Sequence, residues 1–203
     1  MTSRSTPTPA ANARDDATPT GTVARVAQLL RVLAESEGDA SLGDIALRMK
    51  LPHSTTHRLL KLLAEQGFVD RGQTARSYRA GLELLRVAGL VTARAQLTDV
   101  AHAFMQAVVD ASNETCMLSI YMHRTGTAMV AKVIYGDHPL RYEAKLYEPS
   151  ALVWGATGLG IYAFLPEDVA DTIAQREGPS PADGRLVRPA QLRRDVQRIR
   201  QRS

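Results

Sequence analysis

Between Pro52 and Gly67 five side chains that can donate hydrogen bonds fall close together: Ser54, Thr55, His57, Arg58 and Lys61. With about 3.6 residues per helical turn, Ser54, His57, Arg58 and Lys61 recur every three or four positions and share one face. Thr56, Leu59, Leu60 and Leu63 repeat the same spacing on the opposite face, where they predict core. A hydroxyl, an imidazole, a guanidinium and an ammonium on one helix are the groups that read base edges and hold phosphates. Arg58 has the fork that matches the N7 and O6 atoms of guanine, and His57 and Thr55 stand nearer the N-terminus as further base readers. Ser54 and Lys61 suit phosphate oxygens, for which a hydroxyl at a helix start or a flexible cation is enough. A solvated surface helix carries a polar face too, so the neighbouring elements decide the meaning.

Those neighbours are specific. Val23, Val26, Ala27, Leu30, Leu33 and Ala34 predict a helix from Thr22 to about Ser36, broken by Gly38. Ser41 is placed as the N-cap of a second helix reaching Lys50, with Asp44 three residues on to reach back to free backbone N–H groups. Leu51-Pro52 stops it, because proline lacks an N–H and disfavours helical geometry before it. The third helix runs from about His53 to Gln66 and closes on Gly67, where a left-handed residue is wanted. Two short strands follow, Phe68 to Arg71 and Arg76 to Ala80, joined by the turn-prone Gly72-Gln73-Thr74-Ala75. Three helices with a short second turn and a hairpin wing predict a winged helix-turn-helix over residues 21–81. In that wing Arg76 and Arg79 reach phosphates or a minor groove, or merely keep an edge strand soluble, while Tyr78 reads as packing.

Beyond the wing, Leu82 to about Arg94 predicts a connecting helix (82–95), and from residue 96 a second, α/β domain begins. It opens with a helix from Leu97 to Ala111 and continues with strands Thr115 to Tyr121 and Thr127 to Val133 around a turn at 123–126. Helical segments from Gly155 to Phe164, Pro166 to Gln175 and Gln191 to Arg202 complete it, so the fold class is α+β. Gly155-Ala156-Thr157-Gly158-Leu159-Gly160 superficially suggests a dinucleotide loop, but the preceding strand and the glycine spacing are wrong for one. A helix start offering backbone N–H groups to an anion is the more modest reading. Cys116, within a strand, reads as a buried structural thiol, and the histidines have no metal-ligand spacing. No cofactor, metal or catalytic group is expected, and a nucleotide-binding enzyme is the lesser alternative.

Charge is segregated along the chain. Residues 21–95 carry 11 basic and 7 acidic side chains, residues 96–175 carry 4 and 9, and residues 176–203 carry 8 and 3. A basic module beside an acidic one is the arrangement expected when only one part faces a polyanion. Residues 1–20 are rich in Thr, Pro, Ala and Ser without apolar periodicity, which predicts a disordered tail. No run of about 18 apolar residues and no N-terminal apolar stretch is present, so a cytoplasmic chain without membrane contact is expected.

The runs Ser41-Leu42-Gly43-Asp44-Ile45-Ala46, Leu51-Pro52-His53-Ser54-Thr55-Thr56-His57-Arg58-Leu59-Leu60, Glu65-Gln66-Gly67-Phe68-Val69 and Tyr78-Arg79-Ala80-Gly81 resemble the DNA-binding domain of IclR-family transcriptional regulators. The likeness continues through Glu114-Thr115, Trp154 to Gly158 and Ala163-Phe164-Leu165-Pro166, resembling that family's effector-binding domain. It implies a winged helix, a connecting helix and a GAF-like domain that senses a small organic effector, with Gly155, Ala156, Thr157 and Gly158 at the effector site. It further implies a homodimer or tetramer, associating through the first and connecting helices, on a palindromic double-stranded operator, with repression as the default outcome. Leu159 stands where many members have lysine, and members usually continue into further strands, so an incomplete effector domain is expected. A regulator that binds DNA or dimerises without effector response is the alternative.

Overall fold

The computed structural model describes residues 21–94, 96–139 and 143–202; the expected tail at 1–20 lies outside them. Two compact units divide between Gln96 and Leu97.

The first unit contains α1 (Thr22–Ala34), β1 (Ala40–Ser41), α2 (Leu42–Met49), α3 (His53–Glu65), β2 (Val69–Arg71), β3 (Ser77–Ala80) and α4 (Leu82–Arg94). Its core is Leu29, Val32 and Leu33 from α1, Ile45 and Met49 from α2, Leu59 and Leu60 from α3, and Val69 and Tyr78 from the sheet. Burying side chains of this size stabilises by about 1.5–3 kcal/mol each, which is what holds three short helices together. The apolar stripe of α1, expected to serve association between copies, instead faces inward. Leu29, Val32 and Leu33 are buried and Val26 packs against them, so only Val23 of its larger side chains stands in solvent. On α4 Leu82, Leu85 and Val91 are all more than half accessible, as is Leu47 of α2.

Local signals set the helix boundaries. Ser41 caps α2 by accepting from the Asp44 amide at 3.1 Å, and its hydroxyl donates to Asp44 Oδ2 at 2.7 Å. Asp44 therefore answers the capping hydroxyl rather than a free backbone N–H as expected. Lys50 ends α2 in left-handed geometry at φ 52°, and the Leu51 amide donates to the Ala46 carbonyl. Gly67 turns the chain after α3 at φ 75°, which lets the Phe68 amide close on the Leu63 carbonyl at 3.0 Å. Thr56 is fully buried, its hydroxyl donating to the Pro52 carbonyl at 3.2 Å, while Leu63, expected in the core, is half-buried.

The wing has three strands where a two-stranded hairpin was expected. β1 pairs antiparallel with β3 through Ala40 and Tyr78, Ser41 and Ser77, and β2 pairs with the other edge of β3. A two-residue strand is too short to show an alternating pattern, so only its partner reveals it. Arg76, expected at the head of the second strand, lies outside it at φ 65° in the left-handed region. Its carbonyl accepts from the Leu42 amide, and Asp39 ties the turn by accepting from the Gln73 amide and the Ser77 hydroxyl.

The second unit contains α5 (Gln96–Ser112), β4 (Cys116–Met122), β5 (Thr127–Ile134), β6 (Pro149–Ser150), α6 (Gly155–Tyr162), α7 (Glu167–Arg176) and α8 (Pro189–Arg202). Its antiparallel sheet runs β4-β5-β6, with a bulge between Leu118 and Ser119, and the β4–β5 turn uses Gly126 at φ 64°. Ala128, Leu152, Val153, Tyr162, Ile173 and Leu192 form its core. Cys116, expected to be buried, is half-buried. Helices and antiparallel sheets in separate blocks make an α+β chain.

Candidate nucleic-acid interface

Pro52 precedes α3 in extended geometry and offers no side-chain cap, so the first-turn amides of the helix remain without one. Because Thr56, Leu59 and Leu60 are drawn into the core, the opposite face must point outward. Ser54, His57, Arg58 and Lys61 are all exposed and Thr55 is half-buried. Among the described residues no hydrogen bond or ion pair engages the Arg58 guanidinium or the Lys61 ammonium. Four donors are thus held on one helix, and among the described residues none of their side chains makes a hydrogen bond or ion pair.

The structure brings His57 and Lys61 to a cleft of about 280 Å³ between α3 and the wing, together with Ala64, Glu65, Arg71 and Tyr78. Arg71 went unnoticed in the sequence. It lies directly across the β2–β3 ladder from Tyr78, its Nη1 donates to the Tyr78 hydroxyl at 3.3 Å, and its guanidinium carbon sits 5.1 Å from the ring centroid. Tyr78 is 3% exposed, so the ring that orients Arg71 is itself fixed in the core. The signal was present as an arginine opposite an aromatic across a predicted hairpin, but only if the register is known. Arg79 on β3 and Arg76 in the turn are exposed and neither lines this cleft.

In the second unit Gly155 opens α6 at φ 73° and is exposed with Ala156; Thr157 is half-buried and Gly158 buried. A Cβ at Gly158 would lie 2.5 Å from the Ala151 carbonyl oxygen and 2.8 Å from that of Leu152, so close helix-to-loop packing already accounts for this glycine. A cleft of about 600 Å³ opens nearby, lined by Trp154, Leu159, Arg185, Arg188 and neighbours, and none of Gly155 to Gly158 lines it. Among the described residues no cluster of His, Cys, Asp or Glu is arranged to hold a metal ion, and no helix is long and apolar enough to cross a membrane.

Residues 22–72, the span from α1 through β2, match the model of the IclR helix-turn-helix domain. The HTH-type transcriptional regulator Rv1719 of Mycobacterium tuberculosis is 32% identical over 179 residues, covering 88% of this chain and 67% of that protein. The chain belongs to the IclR family. The transcriptional repressor IclR of Escherichia coli is 26% identical over 176 residues, 86% of this chain, and the chain spans 64% of that repressor's length. Among solved structures, an IclR homolog from Microbacterium hydrocarbonoxydans complexed with 4-hydroxybenzoate is 22% identical with a TM-score of 0.70, covering 90% of this chain and 75% of that one. That likeness establishes the fold of both units as an IclR fold. These relatives are regulators rather than enzymes, and the IclR helix-turn-helix is where the free donors of α3 lie.

Proposed function

We propose that this protein is a sequence-specific DNA-binding transcriptional regulator, a repressor by kinship, that places α3 in the major groove of a palindromic operator. The observation that carries the reading is the unsatisfied polar face of a helix whose other face is locked in the core. Arg58 reads guanine, Thr55 contributes to base readout, and Ser54 binds phosphate, with Arg76 and Arg79 meeting the backbone from the wing. The exposed Leu82, Leu85 and Val91 of α4 support a homodimer or tetramer, which a palindromic operator requires. The second unit senses a small organic molecule, as the neighbour holding 4-hydroxybenzoate suggests, with Gly155, Ala156 and Thr157 at the α6 start as the expected contact and Gly158 as packing beneath them. Residues 21–81 are the reading domain, 82–95 the connector and 96–203 the sensor, acting in the cytoplasm.

A selection of genomic fragments at two salt concentrations, with wild type and Arg58→Ala in parallel, tests this. A palindrome enriched by wild type and lost by the variant is expected, since one bidentate contact discriminates by about 1–3 kcal/mol. Weak binding without sequence preference in both would overturn it.

A further inference from the structure

We propose that Arg71, His57 and Lys61 form a seat for one backbone phosphate of the bound duplex, with Tyr78 as the residue that positions Arg71. This rests on the DNA-binding reading above and assigns His57 to the backbone rather than to a base. An α-helix with its side chains is about 10–12 Å across and the major groove about 12 Å wide, so a docked helix has a phosphate wall against each flank. On α3 consecutive residues are turned by about 100°, so His57 stands on the flank when Arg58 points to the groove floor. Lys61 follows His57 one turn later, and the wing stands on that same flank, because both residues share the cleft with Arg71 and Tyr78.

The chemistry of the cleft is that of an anion seat. A guanidinium, an ammonium and an imidazole face one carboxylate, Glu65. A guanidinium hydrogen-bonded to a buried phenol and stacked over its ring has lost its freedom before any ligand arrives, so little further entropy is lost on binding. One guanidinium nitrogen holds the phenol, and the remaining N–H groups stay available for phosphate oxygens. A phosphate contact carries no sequence information, so the seat supplies register and salt-dependent affinity.

The test measures affinity of the full chain for its selected operator and for a scrambled duplex across a range of KCl concentrations. Arg71→Gln should weaken both duplexes by the same factor and lower the slope of log K against log salt, by up to about 0.9, the value for one phosphate released from its counterions, because Lys61 still faces the same phosphate. Arg71→Lys should retain the slope, and Tyr78→Phe should weaken both duplexes less than Arg71→Gln while leaving the fold intact by circular dichroism. In a scan of single neutral methylphosphonates, one position should weaken wild type by a larger factor than it weakens Arg71→Gln. An unchanged slope in Arg71→Gln, or no such position in the scan, overturns the phosphate seat while leaving the regulator reading standing. Failure of wild type to bind either duplex overturns both.

Discussion

Arg48 clamps Glu35 across the junction of α1 and α2: its Nη2 lies 3.1 Å from Glu35 Oε2, while Nη1 donates to the Val32 carbonyl at 3.1 Å and the Ser36 hydroxyl at 3.0 Å. The last turn of α1 has carbonyls without helical partners, and on that of Val32 the guanidinium from the next helix joins the Ser36 hydroxyl, which donates at 2.7 Å. The ion pair itself is half in solvent and adds little; the backbone contact carries most of the effect. Arg48→Ala should therefore lower the unfolding free energy by about 1 kcal/mol, and Arg48→Lys, lacking the fork, should recover only part of it. Urea unfolding measures this, and an alanine variant as stable as wild type would remove the clamp from the account.

Gly81 joins the wing to α4 at a point where a Cβ would run into the Gly67 carbonyl oxygen and lie 2.7 Å from Phe68 C and Val69 N. Those are backbone atoms held by the Gly81 amide bond to the Phe68 carbonyl at 2.9 Å, so they cannot step aside. Gly81→Ala should cost about 2 kcal/mol or more and loosen the wing. Gly89 sits in α4 with nothing within 4 Å of its Cβ position, and Gly89→Ala should instead stabilise by about 0.5–1 kcal/mol. Thermal melts of the two variants moving in the same direction would contradict the packing argument.

Gly158 offers the corresponding test in the second unit. Gly158→Ala should melt several degrees below wild type, whether or not an organic acid is present, because the carbonyls of Ala151 and Leu152 occupy the space. Gly160→Ala, with open space around it inside the same helix, should melt at or above wild type, as Gly89→Ala should. A Gly158→Ala protein of full stability that had lost only ligand binding would instead make this glycine a contact residue.

Glu177, at the end of α7, has its carboxyl held above the usual carboxylate range, because burial outweighs the bonds it accepts from the Leu152 and Val153 amides. A carboxyl whose pKa is raised by folding binds more protons folded than unfolded, so its contribution to stability falls as pH rises through that interval. Glu177→Gln should accordingly gain on wild type above the folded pKa, and the margin should close as pH falls below the ordinary carboxylate range. Denaturant midpoints for both proteins at several pH values measure this; a margin that widened toward acid would reverse the assignment.

Much of the first unit was legible in the residues, since its determinants are local. Ser41 announces the start of α2, Leu51-Pro52 its end and Gly67 the end of α3, each through hydrogen bonding or backbone freedom within a few positions. The helical spacing of Thr56, Leu59 and Leu60 by itself sets apart Ser54, His57, Arg58 and Lys61 on the other face. β1 was not legible, because two residues carry no period and Ala40 and Ser41 become a strand only where Tyr78 and Ser77 lie beside them. The inward turn of the α1 stripe was equally hidden, since periodicity shows that a face is apolar without saying what covers it.

From sequence alone, then, came the helices, the β2–β3 and β4–β5 hairpins, the exposed polar face of α3 and the likeness to the family. Tertiary structure alone decided that Arg71 rather than Arg76 or Arg79 shares a cleft with His57 and Lys61, and that Gly158 packs on backbone rather than lining a cavity. The physical reason is range. Caps, turns and helical periods act over a handful of bonds and are written in neighbouring residues, whereas an arginine beside a phenol across a ladder depends on register, and register is set by the whole unit as it buries its core.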